Sequence, residues 1–177
     1  MQRCWNLKSA EKGLAKGTMG VLEAYYRAIN GCELAGPTYF YTLFKKVKNQ
    51  IMTDIQQNGK ENRIYHVVII ITDGSCHDMQ ETKKILVEMS GMPFSAVIVG
   101  VGNGDFSLME ELDADEKVLE DSKGNVASRD IVQLVKYEDF KDLGMRELAF
   151  EVLGEVPDQF VDYQVMREQQ PELLYKL

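Results

Sequence analysis

Asp73 is the residue of this chain best placed to do chemistry. It closes the run Tyr65-His66-Val67-Val68-Ile69-Ile70-Ile71-Thr72, and Gly74 follows it. A continuous apolar, β-branched run of this kind predicts a strand buried on both faces of a parallel sheet. Ligands of open parallel sheets sit at the carboxyl ends of the strands, so such a strand carries the Asp73 carboxylate to the functional edge. There it can accept N–H bonds from the following turn, or serve as a phosphoryl acceptor. The second role needs a further acidic pair for Mg²⁺ and a lysine at a neighbouring strand end. The next strand ends Val99-Gly100-Val101-Gly102, without a lysine. Neither His66 nor His77 stands in a Ser/His/Asp or Cys/His arrangement. The expectation is a protein that is not an enzyme.

Two further polar residues open helices. Thr38, in Gly36-Pro37-Thr38, has a hydroxyl suited to N-capping the helix that follows. Asp78, in Asp78-Met79-Gln80-Glu81, has the pattern of a capping box. Helical spacing of Val21, Leu22, Tyr25, Ala28 and Ile29 predicts an amphipathic helix over 18–30. A second helix carries Phe40, Phe44, Val47, Ile51 and Ile55 on one stripe. The strand at 65–71 comes next, then a helix from Asp78 to about Ser90. Pro93 breaks the pattern before a second strand at 95–101, and a short helix spans 106–112. After a charged loop at 113–129, a third strand covers 131–135, and the remainder is helical with an interruption at Pro157. Strands alternating with helices imply right-handed crossovers and a doubly wound, mostly parallel α/β sheet. No repeat or long linker divides residues 1–177, which read as a single domain.

Composition narrows the partners. The formal net charge is −8, from 20 basic and 28 acidic side chains. That balance opposes nucleic-acid binding and attraction to anionic lipid. No apolar run approaches the roughly 20 residues of a membrane span, so no direct membrane insertion is expected. Cys4, Cys32 and Cys76 are odd in number and lack CxxC spacing. Free thiols and the absence of a leader pattern place the chain in the cytoplasm.

Two motifs fail on inspection. Gly100-Val101-Gly102-Asn103-Gly104 follows a strand, but its third glycine comes one residue too early for a dinucleotide fingerprint. A tight strand-to-helix turn accounts for it. Asp113-Ala114-Asp115-Glu116-Lys117-Val118 begins like a calcium loop, yet Lys117 and Val118 stand where an oxygen ligand and a glycine belong.

The order Gly36-Pro37-Thr38, then Ile71-Thr72-Asp73-Gly74, resembles that of ligands in a von Willebrand factor type A domain. More specific words resemble the copine family. These are Gly20-Val21-Leu22-Glu23-Ala24-Tyr25, Asp73-Gly74 followed by Asp78-Met79, and Val97-Ile98-Val99-Gly100-Val101-Gly102-Asn103 with Asp105-Phe106. Leu112-Asp113-Ala114-Asp115, Arg129-Asp130-Ile131-Val132-Gln133 and Glu155-Val156-Pro157 continue the series in copine order. The match is strongest over 18–165. RING-type ubiquitin ligases carry a similar A domain, but the Leu112-Asp113-Ala114-Asp115 and Arg129-Asp130-Ile131-Val132-Gln133 segments favour copines.

The resemblance implies a Rossmann-like sheet with a Mg²⁺ or Mn²⁺ adhesion site at its upper edge, through which protein partners bind. Thr38 and Asp73 match two of its ligand contributions. The family's Asp-x-Ser-x-Ser motif is not found here, and Ser9 and Ser75 fit no such pattern. One hydroxyl and one carboxylate are a small share of octahedral coordination. A metal-independent interaction module or an inactive fragment is therefore the alternative. The family's calcium-dependent lipid-binding domains are also outside this sequence, so calcium and plasma-membrane recruitment belong to a full-length context. Residue 1 falls near where the family's first three strands end, so the fold is expected to lack its first strands. Residues 65–71 would then form an unprotected apolar edge open to self-association.

Overall fold

A computed structural model describes residues 15–31, 36–59, 64–113 and 117–169. Residues up to Gly36 and those from Pro37 onward form two compact units. The first holds α1 (Gly17–Asn30), whose Arg27 pairs with Glu23 one turn earlier and whose end is closed by the Gly31 amide bonding to Ala28 O.

The second unit is a three-stranded parallel sheet with helices on both faces. Its elements run α2 (Phe40–Asn58), β1 (His66–Thr72), α3 (Met79–Met89), β2 (Phe94–Gly100), α4 (Ser107–Glu110) and β3 (Val132–Lys136), followed by α5 (Tyr137–Phe140), α6 (Met145–Gly154) and α7 (Val156–Gln169). The strand order is β1-β2-β3, with Ile69 opposite Val97 and Val97 opposite Gln133. This is the Rossmann-like α/β architecture expected, consistent with a von Willebrand factor type A-like fold. Pro157 falls in the first turn of α7, where its missing N–H costs nothing, and the helix break lies at Glu155.

Side chains of alternate strand residues build two different layers. On one face, Ile70, Phe94, Ala96, Ile98 and Val132 join Phe40, Phe44 and Ile51 of α2 and Ile85, Leu86 and Met89 of α3 in one buried cluster. Phe44 meets Phe94 edge-to-face at 6.1 Å. The helical stripe of α2 and the strand pattern thus describe the same core from two sides.

The other face is covered unevenly. Ser95, Val97, Gln133 and Val135 are buried there, and Gln133 Nε2 donates to Glu151 O of α6 at 2.7 Å. Arg129 is the hub of this layer. Its guanidinium donates to Met92 O, Phe94 O and Gln159 O at 2.8, 2.6 and 3.1 Å, and lies over the Tyr65 and Tyr163 rings. Asp130 adds a bond from Gln159 Nε2 at 3.0 Å, so the Arg-Asp-Ile-Val-Gln segment is a splice between sheet and α7. Over β1 this covering stops. Val67, Ile69 and Ile71 are exposed, which corrects the expectation of a strand buried on both faces.

Candidate functional site at the carboxyl edge of the sheet

The loops after β1 and β2 are pressed together at the upper edge. A Cβ on Gly104 would lie 2.1 Å from the Asp73 carbonyl oxygen, and one on Gly74 would lie 2.4 Å from that of Asp105. Gly74 also has φ +98°, which a larger residue rarely adopts. The glycine run after β2 is therefore a turn shaped by a neighbouring backbone, as expected.

Asp73 projects to solvent, and its Oδ1 accepts the Ser75 N–H at 3.0 Å. The Ser75 amide, with its hydroxyl, holds the Asp73 carboxyl below the usual carboxylate range. Asp105 does the same across the gap, accepting the Ser107 N–H at 2.9 Å, and its pKa is lowered by that bond. Both carboxylates are thus ionised at neutral pH.

Thr38 is fastened to the same loop. Its amide donates to His77 Nδ1 at 3.1 Å, and the His77 amide donates to Thr38 O at 3.0 Å. His77 lies four residues along from Asp73, so both predicted ligand residues belong to one loop cluster. Thr38 is not the N-cap of α2, a position held by Tyr39. Its exposed hydroxyl makes no hydrogen bond among the described residues.

The cap of α2 comes instead from Asp78. Its Oδ1 and Oδ2 accept the N–H groups of Phe40 and Tyr41, each at 2.9 Å. The Thr82 hydroxyl donates to Oδ1 at 3.3 Å, and no side-chain cap bond forms to the start of α3. The capping-box reading is corrected: Asp78 begins α3 but serves α2, because the two helices pack with their N-termini together. Cys76 is buried beneath this cluster as a free thiol, with burial pushing its pKa up. Cys4 and Cys32 lie outside the described residues.

Lys136 is the site residue missed in the sequence. β3 extends one residue past the expected end at 135, placing an ammonium at the carboxyl edge. It is paired with Glu110, a bond that raises its pKa. Around it lies an open hollow of about 310 Å³, with Asp105, Glu110, Glu138 and Asp139 on its walls. Since β2 separates β3 from β1, Lys136 stands two strand spacings from Asp73's strand, roughly 9–10 Å across the sheet.

Hard oxygen donors suit Mg²⁺ or Mn²⁺ in kind. In number they fall short. Among the described residues no group of three or more His, Cys, Asp or Glu could hold a metal ion. Thr38 Oγ1 and the Asp73 carboxylate are a small share of the roughly six ligands that Mg²⁺ wants.

A Rossmann-like α/β sheet with an acidic loop cluster at its carboxyl edge defines the class. The copine family model matches residues 2–172. Protein BONZAI 1 of Arabidopsis thaliana is 39% identical over 173 residues, which is 97% of this chain and 29% of that protein. The chain belongs to the copine family. It spans less than a third of the length of that relative.

Proposed function

We propose that this chain is a protein-interaction domain, without enzymatic activity, that binds a protein partner at the carboxyl edge of its sheet. The observation that carries this reading is the pairing of Asp73, ionised and exposed, with a Thr38 hydroxyl that makes no bond among the described residues, on one rigidly held loop cluster. Were Mg²⁺ or Mn²⁺ taken up, Thr38 and Asp73 would contribute oxygen ligands. An acidic group of the partner would meet such an ion there. The separation of Lys136 from Asp73, and its engagement with Glu110, disfavour a phosphoryl-transfer reading. Cytoplasmic location, and recruitment to membranes through other parts of a longer protein, complete the proposal.

The acidic hollow beside Lys136 favours a second reading, metal-independent binding of a basic partner segment. The two separate in one experiment. Mg²⁺ equal to its Kd would stabilise the chain by about 0.4 kcal/mol, rising to about 1.4 at ten times Kd, and so few ligands put that Kd high. Thermal melts across a Mg²⁺ series should therefore rise gradually in the wild type and stay flat in Asp73→Ala. In parallel, partner capture should be lost in Asp73→Ala and Thr38→Ala. A flat wild-type melt with Mg²⁺-independent capture would favour the basic partner. Capture unaffected by either substitution would overturn the carboxyl-edge site.

A further inference from the structure

We propose that Asn103 is a site of spontaneous covalent modification, singled out by the fold and converted through a cyclic imide into aspartate and isoaspartate. The reaction joins the Gly104 main-chain nitrogen to Asn103 Cγ. That nitrogen gives up its proton, the new C–N bond closes a five-membered ring, and Nδ2 leaves as ammonia. Water then opens the ring at either carbonyl, giving aspartate or, with the main chain rerouted through Cγ, isoaspartate. Water is the co-reactant, and no oxidant or reductant is needed. Because ring closure is intramolecular, its rate depends on how freely the two atoms can meet.

The chain offers three Asn-Gly pairs, Asn30-Gly31, Asn58-Gly59 and Asn103-Gly104. A following glycine has no Cβ to obstruct the attack, so local sequence ranks the three alike. The fold separates them. Asn30 and Asn58 are the last residues of α1 and α2, where helical geometry fixes the main chain. Their glycine nitrogens are tied as well: the Gly31 N–H donates to Ala28 O at 3.1 Å, and the Gly59 N–H donates to Ile55 O. The Asn58 side-chain amide is also held, its Nδ2 donating to Asp54 O at 2.8 Å. Asn103, by contrast, stands exposed in the loop between β2 and α4. Neither its side chain nor the Gly104 N–H makes a hydrogen bond among the described residues. Asp73-Gly74 could form the same imide but is protected twice. Its carboxylate is ionised and a poor electrophile, and the Gly74 N–H donates to Thr72 Oγ1 at 3.2 Å.

Both products alter the carboxyl edge. Asn103 lines the hollow around Lys136, so either one adds a negative charge to walls that already hold Asp105, Glu110, Glu138 and Asp139. Isoaspartate also inserts a methylene into the main chain just before Gly104. A Cβ on Gly104 would lie 2.1 Å from Asp73 O, so this turn has little room to lengthen toward Asp73. The conversion requires no metal and no partner, so it stands apart from the proposed binding role.

The test is mass-spectrometric peptide mapping of the purified 177-residue chain after ageing in mildly alkaline buffer. Isoaspartate is counted in parallel with an isoaspartate-specific carboxyl O-methyltransferase and labelled S-adenosylmethionine. Conversion at Asn103 should outpace that at Asn30 and Asn58 by at least about tenfold, because each of those must first break a main-chain hydrogen bond. In guanidinium chloride the three rates should converge. Asn103→Gln, whose closure would need a six-membered ring, should remove most of the methyl-accepting signal from the folded chain while melting like the wild type. An Asn103 that stays intact in the folded chain but converts in guanidinium chloride would overturn the proposal. So would equal conversion at the three sites in the folded chain, or a ranking that persists in guanidinium chloride.

Discussion

At the scale of single residues, the carboxylates at the upper edge divide between display and construction. Asp73 faces solvent and bonds to Ser75 in its own turn, whereas both oxygens of Asp78 are spent on α2. Asp78→Ala leaves two N–H groups at the start of α2 without their acceptor. The expected loss is about 1–2 kcal/mol of stability, read from urea unfolding. Asp78→Asn keeps one acceptor and should lose less. Because Thr38 is held through His77 and not through Asp78, its loop should stay in place. Equal losses for the two substitutions would argue against the bidentate cap.

At the scale of elements, the sheet owes its second layer to one buried cation. Arg129 ties the segment entering β2 to α7 through three carbonyls and two aromatic rings. Burial pulls its pKa down, yet a guanidinium stays charged in such a setting. Arg129→Met keeps much of the volume but removes all three charged-donor bonds, leaving Phe94 O only the Tyr65 hydroxyl. Each bond to a charged donor is worth about 1.5–3 kcal/mol, so the loss should be about 3 kcal/mol or more. Hydrogen exchange should show α7 opening before α2 and α3, which belong to the other layer. Uniform loss of protection would contradict that order.

At the scale of the whole molecule, acid is the condition to watch. Asp73, Asp105 and Asp121 all have pKa values lowered by hydrogen bonds made in the native state. For Asp121 these come from Asn125 and Lys123, which organise the 121–125 turn. A carboxyl whose folded pKa is depressed contributes stability above its unfolded pKa and loses it as pH falls through the folded value. The melting temperature should therefore be flat near neutrality and fall below about pH 4. Replacing Asp121 by Asn should shallow that fall, and an unchanged acid limb would show that other carboxylates control it.

Much of the architecture was legible in the chain. Apolar runs of β-branched residues located β1, β2 and β3 to within a residue, and the stripe of Phe40, Phe44 and Ile51 marked the face of α2 that is buried. The family was legible too, in short words distributed in order along the chain. Asp73 could be placed at the carboxyl edge because a strand end is a local feature, whereas Thr38 was joined to it only through the family resemblance. What the sequence could not determine is which elements those local features serve. Asp78 has the local signature of its own helix's cap, but helix packing turns it toward α2. Lys136 reached the site only because β3 runs one residue further, in register with Gly100. The one-sided burial of β1 is not visible in its uniformly apolar run, and Arg129 acquires its role from carbonyls some 30 to 37 residues away. Sequence specifies periodicity and end signals through local sterics. Partners across the fold are set by packing, which brings distant groups within hydrogen-bond reach.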